Sequence, residues 1–512
     1  MFAQILGETT CGIDGVQILV EVDVSNGLPS FDLVGLPAMA VRESKERVKA
    51  ALRNSDYPFP MTRITVNLAP ADLRKEGSGL DLPIAIGLMT CGRILEPEKL
   101  ENKVFIGELS LDGRIRKVSG VLSMIMDAKK CGAQEVYIPQ ANAAEGKLIH
   151  GIDVYTVATL KELVEHLKGK NTLTPLPKEN ILQNNNRIYH VDFADVKGQL
   201  VARRALEIAA AGGHSILMVG SPGCGKTMLA RRLVTILPPM TEAEALEVTK
   251  IYSIVGLLPQ GDSVMLERPF RSPHHSISGS ALLGGGSTPR PGEVTLAHNG
   301  VLFLDELPEF SRAALEALRQ PLENGSVSIS RVNAHTVYPA RFQLIAAMNP
   351  CRCGNLGNPA LACSRAPKCA EEYQSRISGP LLDRIDIHIE VPAVSPWEMN
   401  DVKKGESSAA IRERVIKARE IQAERFRRMG HPELNTNSQL RGDMLEAAAA
   451  LDGDASALLI GFAEKAGLSA RAYHRTLRLA RTIADLQNTP KVLKMHIAEA
   501  LALRSRLPGR QV

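Results

Sequence analysis

Along the first 170 residues, apolar positions recur in short runs of two different periods. Residues 15–24 and 63–68 partly alternate apolar and polar side chains, as half-buried strands do, whereas 42–52 keep the spacing of an amphipathic helix. A glycine-rich turn over 75–79 leads into the apolar stretch 80–87 and predicts a turn entering a helix. Residues 107–115 read as a hairpin with Asp112-Gly113 at its tip, and 136–139 as a further short strand. Between 170 and 190 the periodicity stops, and two prolines with the run Asn184-Asn185-Asn186 predict a linker. From Val191 onward, apolar runs alternate with helical patterns, which argues for a parallel α/β sheet. Its expected strands are 215–219, 300–304 and 342–348; helices end near Ala211 and follow at 228–233. Beyond Pro396 the chain is helical by composition. The fold class is therefore α/β, with an N-terminal domain over 1–170, a linker over 171–190, a core over 191–395 and a helical region over 396–512.

Composition narrows the class of protein. A length of 512 residues suits about three domains. Hydrophobic content of 44% and charged content of 23% are those of a globular chain. The net charge of +5 is compatible with nucleic acid, while 4% aromatic residues and one Trp argue against base stacking as the main binding device. No run of about 20 apolar residues predicts a membrane span. The N-terminus has no basic segment before a long apolar core, so no secretory signal and a cytoplasmic location are expected.

The chemistry concentrates behind residues 215–219. Gly220-Ser221-Pro222-Gly223-Cys224-Gly225-Lys226-Thr227 fits the phosphate-loop pattern and stands between a strand and a helix, the context that pattern requires. Backbone N–H groups and the helix N-terminus would cradle phosphates there. Lys226 is expected at the β/γ-phosphates of ATP and Thr227 at Mg²⁺. The run 300–304 ends in Asp305-Glu306. Asp305 is expected to share the Mg²⁺, and Glu306 to orient and deprotonate the attacking water. Asn349, at the end of 342–348, reads as a γ-phosphate sensor or as a plain strand cap. Arg384 precedes the next strand and suits an arginine finger reaching a neighbouring copy's ATP; an intrachain ion pair is the alternative.

These residues together resemble the AAA+ superfamily. The segment 271–286, which includes His274 and His275, narrows the likeness to its magnesium-chelatase-like branch. The two histidines read as loop hydrogen-bonders rather than ligands. The stretches 75–87, 107–115 and 136–139 resemble the Lon-protease-like domain of ribosomal-S5 type. Ser78 lies in the turn where a Lon peptidase keeps its nucleophile, but Lys117 is off-register and no matched dyad is offered, so a docking or structural domain is expected. Taken whole, the chain is similar to the ComM/YifB group of bacterial proteins. That resemblance implies a homo-hexameric ATPase and DNA helicase promoting branch migration of transforming DNA. Single-stranded and branched DNA and recombination proteins would be its partners.

The resemblance also suggests where DNA is held. Residues 327–338 read as a hairpin around Asn333, at the place where related ring helicases project a basic residue into the pore; Arg331 is that residue here. Arg471 resembles the second sensor of AAA+ lids, with Arg475 as the substitute and Ser469 as the cap of their helix. Of the eight cysteines, Cys351, Cys353, Cys363 and Cys369 cluster, which fits a structural Zn²⁺ or a set of reduced thiols. A chelatase-type or chaperone-like ATPase acting on a protein is the alternative function.

Overall fold

The structure is a computed structural model. It describes residues 1–504 except Glu76, 180–188, 259–263, 287–288, 332–333, 355, 357–362, 364 and 395–404, and for Ser330, Arg331, Ala334 and His335 the backbone alone. The chain divides into two compact units, Met1–Asn185 with Thr241–Leu266, and Asn186–Met240 with Glu267–Val512.

The first unit is built on β1 (Phe2–Cys11), β2 (Asp14–Ser25), β3 (Ser30–Val34), β4 (Arg63–Ala69), β5 (Lys103–Phe105), β8 (Glu135–Pro139) and β9 (Asp153–Val157). They form one mixed sheet in the order β3-β4-β2-β1-β5-β8-β9. β1, β2 and β4 pair antiparallel, and β1, β5, β8 and β9 pair parallel. The expected hairpin is present as β6 (Glu108–Leu109) and β7 (Ile115–Arg116), with Asp112-Gly113 in its turn. Helix α1 (Ser44–Asn54) buries Val48, Ala51 and Leu52. Helix α2 (Asp81–Cys91) is apolar on all sides, and every one of its residues is buried. It comes so close to the sheet that a Cβ at Gly87 would stand 2.6 Å from Val22 Cγ2. Helix α3 (Val121–Lys130) packs on β2.

In the second unit, α4 (Leu200–Gly212) leads to β10 (Ile216–Val219), the phosphate loop and α5 (Lys226–Ile236). The chain then returns to the first unit through α6 (Glu242–Ile254). The Thr241-x-x-Glu244 sequence starts α6 with a reciprocal capping box. Helix α6 packs on α3, where the Ser253 hydroxyl donates to the buried carboxylate of Glu145 and accepts from the Gly120 N–H. The segment Thr241–Leu266, inside the expected core over 191–395, thus groups with the first unit. The expected linker also begins too early, because Leu176 N–H bonds to Val154 and Glu179 pairs with Lys147 of the first unit. Asn184, Asn185 and Asn186 lie outside the described residues.

Past α6 come β11 (Phe270–Arg271), α7 (Gly279–Leu283), β12 (Gly284–Gly285), β13 (Arg290–Pro291), β14 (Val301–Leu304), β15 (Ser326–Arg331), β16 (Ala334–Pro339), β17 (Gln343–Met348) and β18 (Ile387–Glu390). Four of these strands join β10 in a sheet of the order β11-β14-β17-β10-β18, parallel at every pairing. Both faces are covered, as strands buried along their whole length require. Ile216 and Met218 enter one core while Leu217 and Val219 enter the other. The first of these cores continues into α8 (Ser408–Arg428) and α9 (Ala470–Leu486) through Phe426, Leu479 and Ile483. The helical C-terminal region and the sheet therefore share one apolar interior.

Candidate nucleotide site

A parallel sheet delivers the carboxyl ends of its strands to one edge, and polar residues placed there converge. The phosphate loop leaves β10 at that edge. Its Gly223 and Gly225 hold φ of 78° and 94°, left-handed values that favour glycine. Gly220 has no room for a side chain, since a Cβ would lie 2.3 Å from the Val391 carbonyl oxygen. Lys226 is buried, and its Nζ donates to the carbonyls of Gly220 (2.6 Å) and Ser221 (3.0 Å) and to Asn349 Oδ1 (3.3 Å). Thr227 Oγ1 donates to Asp305 Oδ2 at 2.8 Å. Four expected residues from three strand ends thus stand in two bonded pairs.

Glu306 follows directly in a left-handed backbone conformation, φ 51°, with its N–H on Asp305 Oδ1 at 2.9 Å. Its Oε2 lies 3.2 Å from Nδ1 of His275. His274 instead bonds Ser276 Oγ at 2.8 Å within its own loop. The contact of His275 with Glu306 was not readable in the sequence, where 31 residues separate the two. Parallel pairing of β11 with β14 sets the loop that carries both histidines beside the end of β14.

Arg384 donates through Nη1 to the Pro380 carbonyl at 2.7 Å and pairs through Nη2 with Glu323, the intrachain arrangement. The two lid candidates separate. Ser469 caps α9 through the Ala472 N–H, and Arg471 stands exposed in its first turn. Arg475 is buried one turn on, with Nε 3.6 Å from Asp386 Oδ1. Burial lowers its pKa to about 10. Burial alone would raise Asp386, but a hydrogen bond with His214 and the charges of Arg478 and Arg475 hold it well below the usual carboxylate range. Arg475 belongs to this internal ionic cluster.

β15 and β16 form the expected hairpin, with Arg331 opposite Ala334 at its end; the Arg331 side chain and Asn333 lie outside the described residues. A second small hairpin, β12 with β13, is braced against it. Tyr338 Oη donates to the Pro289 carbonyl at 2.9 Å, and a Cβ at Gly284 would stand 3.1 Å from Ile329 Cδ1.

The sulfur atoms of Cys351, Cys353, Cys363 and Cys369 all lie within 4.8 Å of one another, and those of Cys351 and Cys353 are 3.2 Å apart. Thiolates bound tetrahedrally at about 2.3 Å from Zn²⁺ would sit about 3.8 Å apart, so this donor set fits that ion. A backbone hydrogen bond at Arg365 lowers the Cys363 thiol, but hydrogen bonding with Cys353, burial and hydrogen bonding with Cys369 push it up to about 11. The cluster touches the phosphate loop, since a Cβ at Gly354 would lie 2.7 Å from Pro222 Cδ.

Family signatures cover nearly the whole chain. "Magnesium chelatase, subunit ChlI" matches residues 192–399, "Subunit ChlI of Mg-chelatase" residues 20–142, and "Magnesium chelatase, subunit ChlI C-terminal" residues 405–504. "Competence protein ComM" of Haemophilus influenzae is 44% identical over 507 residues, 98% of this chain and 97% of that one. This chain belongs to the ComM/YifB group of magnesium-chelatase-like AAA+ proteins. "Uncharacterized protein YifB" of Escherichia coli is 42% identical, covering 96% of this chain and 95% of its own length. A "Lon protease" of Lachnoclostridium phytofermentans is 23% identical over 175 residues, 32% of this chain. Membership of the AAA+ family implies an ATPase using ATP and Mg²⁺. In the first unit of this chain, Ser78 Oγ donates to the carboxylate of Glu108, itself 3.8 Å from Arg116. No helix among the described residues is long and apolar enough to cross a membrane.

Proposed function

We propose that this chain is a homo-hexameric, ATP-driven motor on DNA, acting in the cytoplasm as a helicase that promotes branch migration while transforming DNA is integrated. The observation that carries this reading is the meeting of Lys226 with Asn349 and of Thr227 with Asp305 at one sheet edge. The similarity to a competence protein supports the link to transforming DNA. Lys226 would exchange its loop carbonyls for the β/γ-phosphates, within the cradle of Gly220, Ser221, Pro222, Gly223, Cys224 and Gly225. Thr227 and Asp305 would hold Mg²⁺, which neutralises charge on the phosphates. Glu306 would orient and deprotonate the attacking water, and Asn349 would hold the γ-phosphate or that water. Arg384 would leave Glu323 to reach a neighbouring copy's nucleotide, and Arg471 would close over the site from the lid. Arg331 on the β15–β16 hairpin would track the DNA backbone, giving binding that is independent of sequence and weakened by salt. We assign the four cysteines to a structural Zn²⁺ that braces the phosphate loop through Gly354 and Pro222.

The deciding experiment measures three-strand branch migration and strand displacement with ATP. The full chain should unwind, and Arg331→Ala should unwind poorly while still hydrolysing ATP. Hydrolysis stimulated by a protein substrate, with no response to DNA, would favour the chelatase-type or chaperone-like alternative. Mixing Arg384→Ala with Lys226→Ala should restore part of the hydrolysis if the finger acts between copies; no rescue would overturn that role.

A further inference from the structure

Gln199 carries two local penalties beside the phosphate loop. Its backbone is left-handed, with φ 52° and ψ 37°, a conformation that residues other than Gly, Asn and Asp adopt only under strain. Its side chain is buried, and Oε1 has no hydrogen-bond partner. Costs of this kind persist where the surrounding structure imposes them, and they collect at functional sites.

The other half of the amide shows what the arrangement does. Nε2 donates to the carbonyl of Pro392 at 2.5 Å and to that of Cys224 at 3.4 Å. Both partners only accept, so the nitrogen end of the amide is fixed on them. Cys224 stands between Gly223 and Gly225, where the backbone lacks the restraint that a Cβ supplies. In a trans peptide the C=O and the N–H that follows it point in opposite directions. A buried side chain that grips the Cys224 carbonyl therefore turns it inward to the protein and turns the Gly225 N–H the other way, into the loop. The flipped peptide would set a carbonyl oxygen against the negative oxygens of a phosphate.

Pro392 is a firm anchor for this grip. It comes two residues after β18, and the residue between already holds the start of the loop. Val391 N–H donates to the Val219 carbonyl at 2.7 Å, and the Val391 carbonyl oxygen occupies the space that a Cβ at Gly220 would need. The pair 391–392 thus braces the loop at Gly220 directly and at Cys224 through Gln199.

We propose that Gln199 is a positioning residue that locks the peptide plane between Cys224 and Gly225, so that the Gly225 N–H faces the phosphates of a bound nucleotide. This rests on the reading of 220–227 as a nucleotide site. The same side chain weakens the ligand-free fold, through its strained backbone and orphaned oxygen, and strengthens nucleotide binding.

The test pairs calorimetric titration of the full chain with Mg·ADP and thermal melting without nucleotide, for wild type and two variants. Gln199→Gly relieves the left-handed backbone and removes the orphaned oxygen together with the grip. Gln199→Glu keeps the size of the side chain but sets carboxylate oxygens, which only accept, against both carbonyls. Both variants should bind Mg·ADP about ten-fold more weakly, the worth of one hydrogen bond to a charged group. In ATP hydrolysis the loss should appear in KM, with kcat lowered less than about two-fold. Without nucleotide, Gln199→Gly should melt at or above the wild-type temperature. A glutamine needed only for packing would instead lower that temperature in Gln199→Gly. That result, or wild-type affinity in either variant, overturns the inference. A wild-type chain that binds no Mg·ADP overturns the reading of the nucleotide site itself, which separates the two failures.

Discussion

The two units use similar materials to opposite ends. In the second, five parallel strands bring Gly220, Asp305 and Asn349 to one edge, where their polar groups meet residues of the phosphate loop. In the first, the mixed sheet distributes its strand ends to both edges, and polar groups are consumed locally. Ser78 is bound by Glu108, Asp81 by Arg47 and Glu145 by Ser253 and Asn142. Glu8 is left buried with neither carboxylate oxygen bonded. Parallel pairing makes an edge where chemistry can converge, whereas in the mixed sheet these polar groups are tied up in local pairs.

The largest effect should come from breaking the converging edge. Glu306→Gln should lower kcat by about 10²–10⁴-fold, the contribution of a positioned general base, while an ATP analogue still binds. A variant that hydrolyses at the wild-type rate would remove Glu306 from the reaction. Next comes the cysteine cluster. Cys351→Ser, or chelation under reducing conditions, should lower the melting temperature of the second unit and weaken nucleotide binding about ten-fold, because the knuckle supports Pro222. Metal analysis without stoichiometric zinc would exclude the site.

A smaller effect is expected in the first unit. Burial, and then the charge of Asp127, push Glu8 up to about 9 from an ordinary value of 4.5. Its raised folded-state pKa means that this contribution to stability is full below about 4.5 and is lost as pH rises toward 9. Glu8→Gln should flatten that decline and stabilise the unit by on the order of 1–3 kcal/mol at pH 8, read by denaturant unfolding at several pH values. A parallel decline in the variant would show that Glu8 is not its source. Ser78→Ala should do least, costing about 1 kcal/mol or less and leaving ATP hydrolysis unchanged. A loss of hydrolysis there would make the Lon-like turn part of the motor.

Much of this was legible in advance because short-range rules are strong. The strands at 215–219, 300–304 and 342–348, the turn at Asp112-Gly113 and the Ser469 cap are fixed by runs, turns and caps a few residues long. The choice between Arg471 and Arg475 was not legible, because both lie on one helix and only packing against Asp386 separates them. The packing partner of helix α6 was not legible for a similar reason. Its capping box announces a helix but says nothing of which sheet will cover its apolar face.

Sequence alone determined the chemical inventory: a phosphate loop, a paired acid, a polar strand tip, four clustered cysteines and a Lon-like turn. Each is written in contiguous residues, where backbone propensity and spacing act directly. Tertiary structure alone decided the partnerships, setting His275 on Glu306, Ser78 on Glu108, Gly354 on Pro222 and α6 on α3. Those pairings depend on strand order and on burial that is shared between distant segments, and no local pattern carries that information.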